Sequence, residues 1–158
     1  MRGYFGIGVV HAKSAVNIGT LMRSAYSFSA NFVFTVGKRY SKQCSDTMQA
    51  WRHMPVFNFS DINDLVAHLP YDCPLIGIEL EKGAIDLAAF SHPVRACYLL
   101  GAEDHGLSQS EIALCNSIVV INGANRCLNV SVAGSIVMWD RIQKAAQTRE
   151  SNETKTKK

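Results

Sequence analysis

Short, nearly unbroken apolar runs alternate along this chain with longer segments in which apolar residues recur every three or four positions. Residues 4–10, 32–36, 56–59, 74–80, 96–100 and 118–121 are rich in β-branched and aromatic side chains and read as strands. Between them, Leu21, Met22, Ala25 and Phe28 recur at helical spacing over residues 18–28, with Asn17 as the expected cap. Residues 45–51 predict a short helix, and residues 61–69 an amphipathic one capped by Ser60 and ended by Pro70. Residues 82–93 read as a loop with a helical turn. Ser108 and Glu111 stand at the S-x-x-E spacing of a capping box, which starts a helix over residues 108–115. After a polar loop at residues 122–126, residues 128–146 form the longest helical pattern, with Val132, Ile136, Trp139 and Ile142 at helical spacing.

Strands that are apolar on both faces and separated by helices predict an α/β fold, a mostly parallel sheet with helices on both faces. In such a sheet ligands gather beyond the carboxyl ends of strands. The loops after Val10, Leu80, Leu100 and Ile121 are therefore the places to look for chemistry.

Composition narrows the class. With 158 residues, 47% hydrophobic and 18% charged, the chain can bury a core as one domain, expected over residues 1–148 with a charged tail at 149–158. No apolar run approaches the roughly 20 residues that span a bilayer, and the first residues lack the pattern of a signal peptide, so a cytoplasmic protein with no membrane partner is expected. The five cysteines are widely spaced and form no C-x-x-C pair, which argues for reduced thiols and no metal site. Net charge is only +3, too small by itself to imply nucleic acid. Lys38, Arg39, Tyr40 and Lys42 nevertheless cluster, as do Trp51, Arg52 and His53, and basic residues interleaved with aromatics suit phosphates and unpaired bases.

Three segments carry candidate chemistry. Residues 100–108 run from a strand through Gly101 and Gly106 to the capped helix, which lets backbone approach a ligand closely. The G-x-G-x-x-G and G-x-x-x-x-G-K-[ST] patterns are absent, which disfavours a nicotinamide or ATP enzyme. Asn17 and Arg23 lie less than two turns apart on a helix, and residues 128–134 open another. Each segment alone has an ordinary structural explanation in capping, a tight turn or close packing.

In this order they resemble the three motifs of the SpoU family of RNA ribose 2′-O-methyltransferases, of the SPOUT class. The N-x-G-x-x-x-R motif falls on Asn17, Gly19 and Arg23, the G-x-E-x-x-G-L-S motif on Gly101, Glu103, Gly106, Leu107 and Ser108, and the L-N-V-S-V-A motif on residues 128–133. The resemblance implies a deep C-terminal trefoil knot, which ordinary chain-connection rules would count as nearly forbidden. It also implies S-adenosyl-L-methionine as cofactor, held by Ile78, Glu79, Gly101, Val119, Ile121 and Leu128. Its catalytic set would be Asn17, Arg23, Glu103, Asn129 and Ser131. Arg23, Lys38, Arg39, Arg52 and Cys127 would meet RNA, with tRNA favoured over rRNA, in a homodimer.

Two positions depart from the family pattern. Cys127 stands where serine commonly precedes Leu-Asn, and a thiol is the weaker donor. Val120 stands where proline is common. Alternatives to a tRNA enzyme are an rRNA 2′-O-methyltransferase and a noncatalytic RNA-binding protein of the same fold.

Overall fold

A computed structural model describes residues 3–123 and 127–156, with residues 149–156 described by their backbone alone. Seven strands form one sheet: β1 (Tyr4–Val10), β2 (Phe32–Val36), β3 (Val56–Phe59), β4 (Leu75–Ile78), β5 (Ile85–Asp86), β6 (Arg95–Leu100) and β7 (Ser117–Val120). Their order is β3-β2-β1-β6-β4-β7-β5, and every pairing is parallel. Four helices accompany them: α1 (Ala15–Ser27), α2 (Ile62–Ala67), α3 (Gln109–Ile112) and α4 (Val130–Thr156).

The period-2 geometry of a strand divides the core in two. From β6, Ala96, Tyr98 and Leu100 join Phe5, Ile7 and Val9 of β1 under α1 and α4. Cys97 and Leu99 point the other way, among Phe32, Phe34, Leu65 and Leu107 on the side of α2 and α3. Both faces are covered, which is why these strands lack a polar alternation.

β7 lies beyond β4 and two places from β6, yet α4 packs along α1 and touches β6. Ser135 of α4 donates to Ser24 of α1 at 2.8 Å. The chain therefore returns across the sheet after β7, the crossing a C-terminal knot requires.

Several local expectations change. Ser14, not Asn17, caps α1, its side chain accepting from the Asn17 backbone amide. This leaves the Asn17 side chain free for longer-range bonds. Asp61, not Ser60, caps α2 by accepting from the amides of Asn63 and Asp64. Residues 45–51 are mainly turns followed by a single 3₁₀ turn, Ala50–Arg52. The capping box of α3 is present in both directions. On α4 the apolar residues at helical spacing are not all buried: Ile136 packs against the core, but Val132 and Trp139 are 47% and 54% exposed, while Val130, Ala133, Val137, Met138 and Arg141 are buried.

Candidate active site

The chain leaving β1 and the chain leaving β6 meet at the carboxyl edge of the sheet. Glu103 is the joint. Its Oε2 accepts from the backbone N–H of Lys13 at 3.0 Å, and its Oε1 accepts from the Ser14 N–H at 3.3 Å and from Asn17 Nδ2 at 3.0 Å. Lys13 also pairs through Nζ with Asp104 at 2.5 Å. A carboxylate only accepts, so it fixes the orientation of the Asn17 amide. Asn17 Oδ1 then receives Asn129 Nδ2 at 3.0 Å, and Asn129 Oδ1 receives both the Ser131 N–H at 3.0 Å and its hydroxyl at 2.6 Å. The result is a one-way relay of donors from Ser131 through both asparagines to Glu103. Burial pushes the Glu103 pKa upward, but the bonds from Asn17, Lys13 and Ser14 outweigh it and hold the carboxyl below its ordinary value.

A cavity of about 340 Å³ opens beside this relay. Its walls are the end of β4 (Ile78, Glu79, Leu80), residues 100–106 after β6, Ile121 after β7, and Cys127, Leu128, Val130 and Ala133 at the start of α4. Residues 102 and 106 pair as a small hairpin, each amide bonded to the other's carbonyl at 3.2 and 3.0 Å. Gly101 has no room for a side chain, since a Cβ there would lie 2.5 Å from the Leu107 nitrogen. Gly106 has φ +67, a left-handed conformation that glycine adopts without strain.

The structure brings Ile78, Glu79, Gly101, Ile121 and Leu128 around the cavity, with Glu103 and Cys127. Val119 is wholly buried beneath it, its carbonyl accepting from the Glu79 amide at 3.0 Å. Both Glu79 oxygens are already engaged, with Leu80 N–H at 2.9 Å and Leu107 N–H at 2.6 Å, so this carboxylate anchors the loop that forms the cavity wall. Arg23, Lys38, Arg39 and Arg52 are exposed and outside the cavity lining. Lys38 reaches the Lys13 carbonyl at 3.2 Å.

Sequence reasoning missed Lys13 and Ser14, whose bonds to Glu103 run through backbone amides that no side chain announces, and Asp104, whose place beside Glu103 was the available clue. It also missed Leu80, Leu100, Ala102, Val130 and Ala133, whose apolar character gave no reason to separate cavity wall from core. Among the described residues, no group of three or more His, Cys, Asp or Glu side chains is placed to hold a metal ion, and no helix is long and apolar enough to cross a membrane.

Parallel strands, a glycine-built cavity at their carboxyl ends and a polar relay tying α1, α4 and the loop after β6 define an α/β protein of ligand-binding type. The SpoU rRNA Methylase family matches residues 5–139, and the chain belongs to that family. It is 26% identical over 129 residues to the tRNA (guanosine(18)-2′-O)-methyltransferase of Escherichia coli strain K12, a match covering 78% of this chain and 56% of that protein. The chain thus spans little more than half of that curated relative. The fold is shared with the SpoU methyltransferase AviRb from Streptomyces viridochromogenes in complex with AdoMet, at TM-score 0.76 and 21% identity over 91% of this chain and 58% of that one. A structure concerned with 2-OH methylation of C/U34 on tRNA matches at TM-score 0.81 and 16% identity, covering 93% of this chain and 99% of that one.

Proposed function

We propose that this chain transfers the methyl group of S-adenosyl-L-methionine to a ribose 2′-hydroxyl of RNA, with tRNA favoured over rRNA. The observation that carries the reading is the relay through Asn17, Glu103, Asn129 and Ser131, which joins all three motif segments at the rim of the cavity. The cavity suits the cofactor: Ile78, Leu100, Ile121 and Leu128 offer apolar surface for a purine, and the backbone around Gly101 offers peptide groups without an intruding side chain. Bound there, S-adenosylmethionine supplies a methyl group on a good sulfonium leaving group.

The protein's own work is orientation and charge. The methyl carbon leaves sulfur as its bond to the ribose oxygen forms, and the hydroxyl proton departs. Arg23 is exposed and enters none of the ion pairs among the described residues. A guanidinium offers donors and a fixed positive charge but no acceptor, so Arg23 holds the phosphate and stabilises charge developing on the ribose oxygen, and is not the base. Glu103 and the asparagines fix α1 and α4 around the acceptor. Lys38, Arg39 and Arg52 meet the RNA backbone, and Cys127, on the cavity wall, stands at the border between cofactor and acceptor.

Support for tRNA comes from the E. coli relative and from the C/U34 structure, which is matched over 99% of its length. The exposed apolar stripe Val132, Trp139 and Ile142 on α4 supports a homodimer as the occupant of that face. The test is transfer of a labelled methyl group to RNA from a strain lacking the gene, followed by nucleoside mapping. The expected product is a 2′-O-methyl nucleoside in tRNA, with Arg23→Ala reducing turnover at least tenfold while cofactor binding persists. Label in rRNA alone would move the substrate, and cofactor binding without label in any RNA would overturn the reading.

A further inference from the structure

The stretch between β2 and β3 contains four basic residues, Lys38, Arg39, Lys42 and Arg52, and one acid, Asp46, within residues 38–53. The acid is buried, and its Oδ1 accepts from the Ala50 N–H at 2.9 Å. Lys42, Arg39 and Arg52 enter none of the ion pairs among the described residues. Positive charge is therefore presented here without a neutralising partner.

Two of these cations are mounted on one ring. Lys42 Nζ lies 3.9 Å and Arg52 Cζ 4.9 Å from the centroid of the Trp51 indole, which is itself half-buried against the core. An indole face holds a cation by its quadrupole and limits the wandering of a long side chain. It follows that Trp51 serves as a seat for two cations.

The stretch is also pinned along α1. Ser45 Oγ donates to the Val16 carbonyl at 2.9 Å, His53 stacks on Tyr26 at 5.1 Å between centroids, and Ser27 Oγ contacts Met48 Sδ at 3.9 Å. Gly19 permits the close approach, because a Cβ there would lie 2.9 Å from Gln43 Cβ and collide with Ser45. Gly19, Arg23 and Ser27 are spaced four apart and share one helix face. Arg23 thus stands between the contacts at Val16 and Gly19 and those at Tyr26 and Ser27.

We propose that Lys42 and Arg52, seated on Trp51, form a phosphate-binding track beside Arg23 that holds the RNA backbone flanking the reacting nucleotide. The inference rests on the RNA methyl-transfer reading and extends it. The contacts are to phosphodiesters, so they are indifferent to base sequence, and both cations lie within 4.9 Å of one centroid, close enough to serve neighbouring phosphates.

The test is the salt dependence of binding to an unmodified tRNA and to an unrelated single-stranded RNA, measured by fluorescence anisotropy without cofactor. For Lys42→Gln/Arg52→Gln the slope of log K against log salt should shrink by about 0.7 for each lost phosphate contact on a single strand, with affinity falling on the order of tenfold for both RNAs. Trp51→Leu should weaken binding in the same direction by freeing the seat, and S-adenosylmethionine affinity reports that each variant is folded. An unchanged slope in the double variant overturns the inference. So does a pattern in which Trp51→Leu weakens binding while the double variant keeps the full slope, because the indole would then be a base platform. Failure of methyl transfer is read separately, from labelling by the wild type.

Discussion

Asn17 and Asn129, 112 residues apart, are joined side chain to side chain by a 3.0 Å hydrogen bond, and the amide of each is oriented by its other bond. Asn17 donates onward to Glu103, while Asn129 accepts from Ser131. The bond ties the start of α4 to α1 across the return that follows β7. The relay thus closes only when the C-terminal segment is correctly placed.

Glu103→Gln is expected to break this arrangement despite its matching shape. Both Glu103 oxygens accept, and an amide would turn an N–H toward Lys13, or toward Ser14 and Asn17. Losing charge-assisted bonds of this kind costs about 1.5–3 kcal/mol, so a lower melting temperature and at least a tenfold loss of methyl transfer should appear together. The depressed carboxyl pKa gives the pH sign: its stabilisation is complete above the ordinary value of 4.5 and is lost as pH falls through the lower folded value. The variant should lack that part of the acid sensitivity in a pH series of thermal melts.

Gly101→Ala should act on the cavity rather than on the relay. The added methyl meets backbone of Gly106 and Leu107, which cannot rotate away as a side chain would. Overpacking of this sort costs about 1–3 kcal/mol, and the 102–106 hairpin must shift. Calorimetric titration is expected to show at least a tenfold weaker affinity for S-adenosylmethionine; wild-type affinity would mean that this wall does not contact the cofactor.

What was legible in the sequence followed from burial. β1, β2 and β6 are covered on both faces, so their continuous apolar runs stand out against the rest of the chain. On α4 spacing alone did not tell the buried side: Val132, Trp139 and Ile142 form a true helical stripe, but the buried stripe beside it contains Ala133 and the charged Arg141. Arg141 is buried because it donates to the carbonyls of Pro93 and Val94 at 2.8 Å each and to Tyr98 at 3.0 Å, partners more than 40 residues away. Asn17 misled in a similar way, since Ser14 and Asn17 both suit a cap and only the distant Glu103 and Asn129 decide between them. The motif residues were readable as a set, while the backbone amides of Lys13 and Ser14 had no signature to read.

That exposed stripe on α4 should be a protein contact. Trp139 is 54% exposed, and aromatic side chains are enriched at interface centres. The wild type is expected to sediment as a dimer, and Trp139→Glu as a monomer with an unchanged circular dichroism spectrum, since the side chain is not part of the core. A lost anchor of this type weakens association by about 2 kcal/mol or more. A wild-type monomer across the micromolar range would reject a second copy as the occupant.

His92, outside the cavity lining, bridges β6 and α4. Tyr98 donates to His92 Nδ1 at 2.6 Å, and His92 Nε2–H donates to Asp140 at 2.9 Å, an assignment that leaves the imidazole neutral and both nitrogens satisfied. Arg141 donates to Tyr98 from the other side, Lys144 pairs with Asp140 at 2.7 Å, and burial pushes the Tyr98 pKa to about 12. Burial also lowers the His92 pKa from 6.5, against the pull of Asp140 and with that of Arg141 and Lys144. A histidine whose folded pKa is depressed loses stability as pH falls from 6.5 toward the folded value, because the unfolded chain takes up the proton first. His92→Gln should therefore be less stable than the wild type by about 1–3 kcal/mol near neutrality, where it leaves buried partners unpaired. The gap between the two should narrow in denaturant titrations from about pH 7.5 to about pH 5.5, as only the wild type carries the histidine penalty. A gap that stays constant or widens over that interval would show that His92 takes up its proton inside the fold, with Asp140 overcoming the cost of burial.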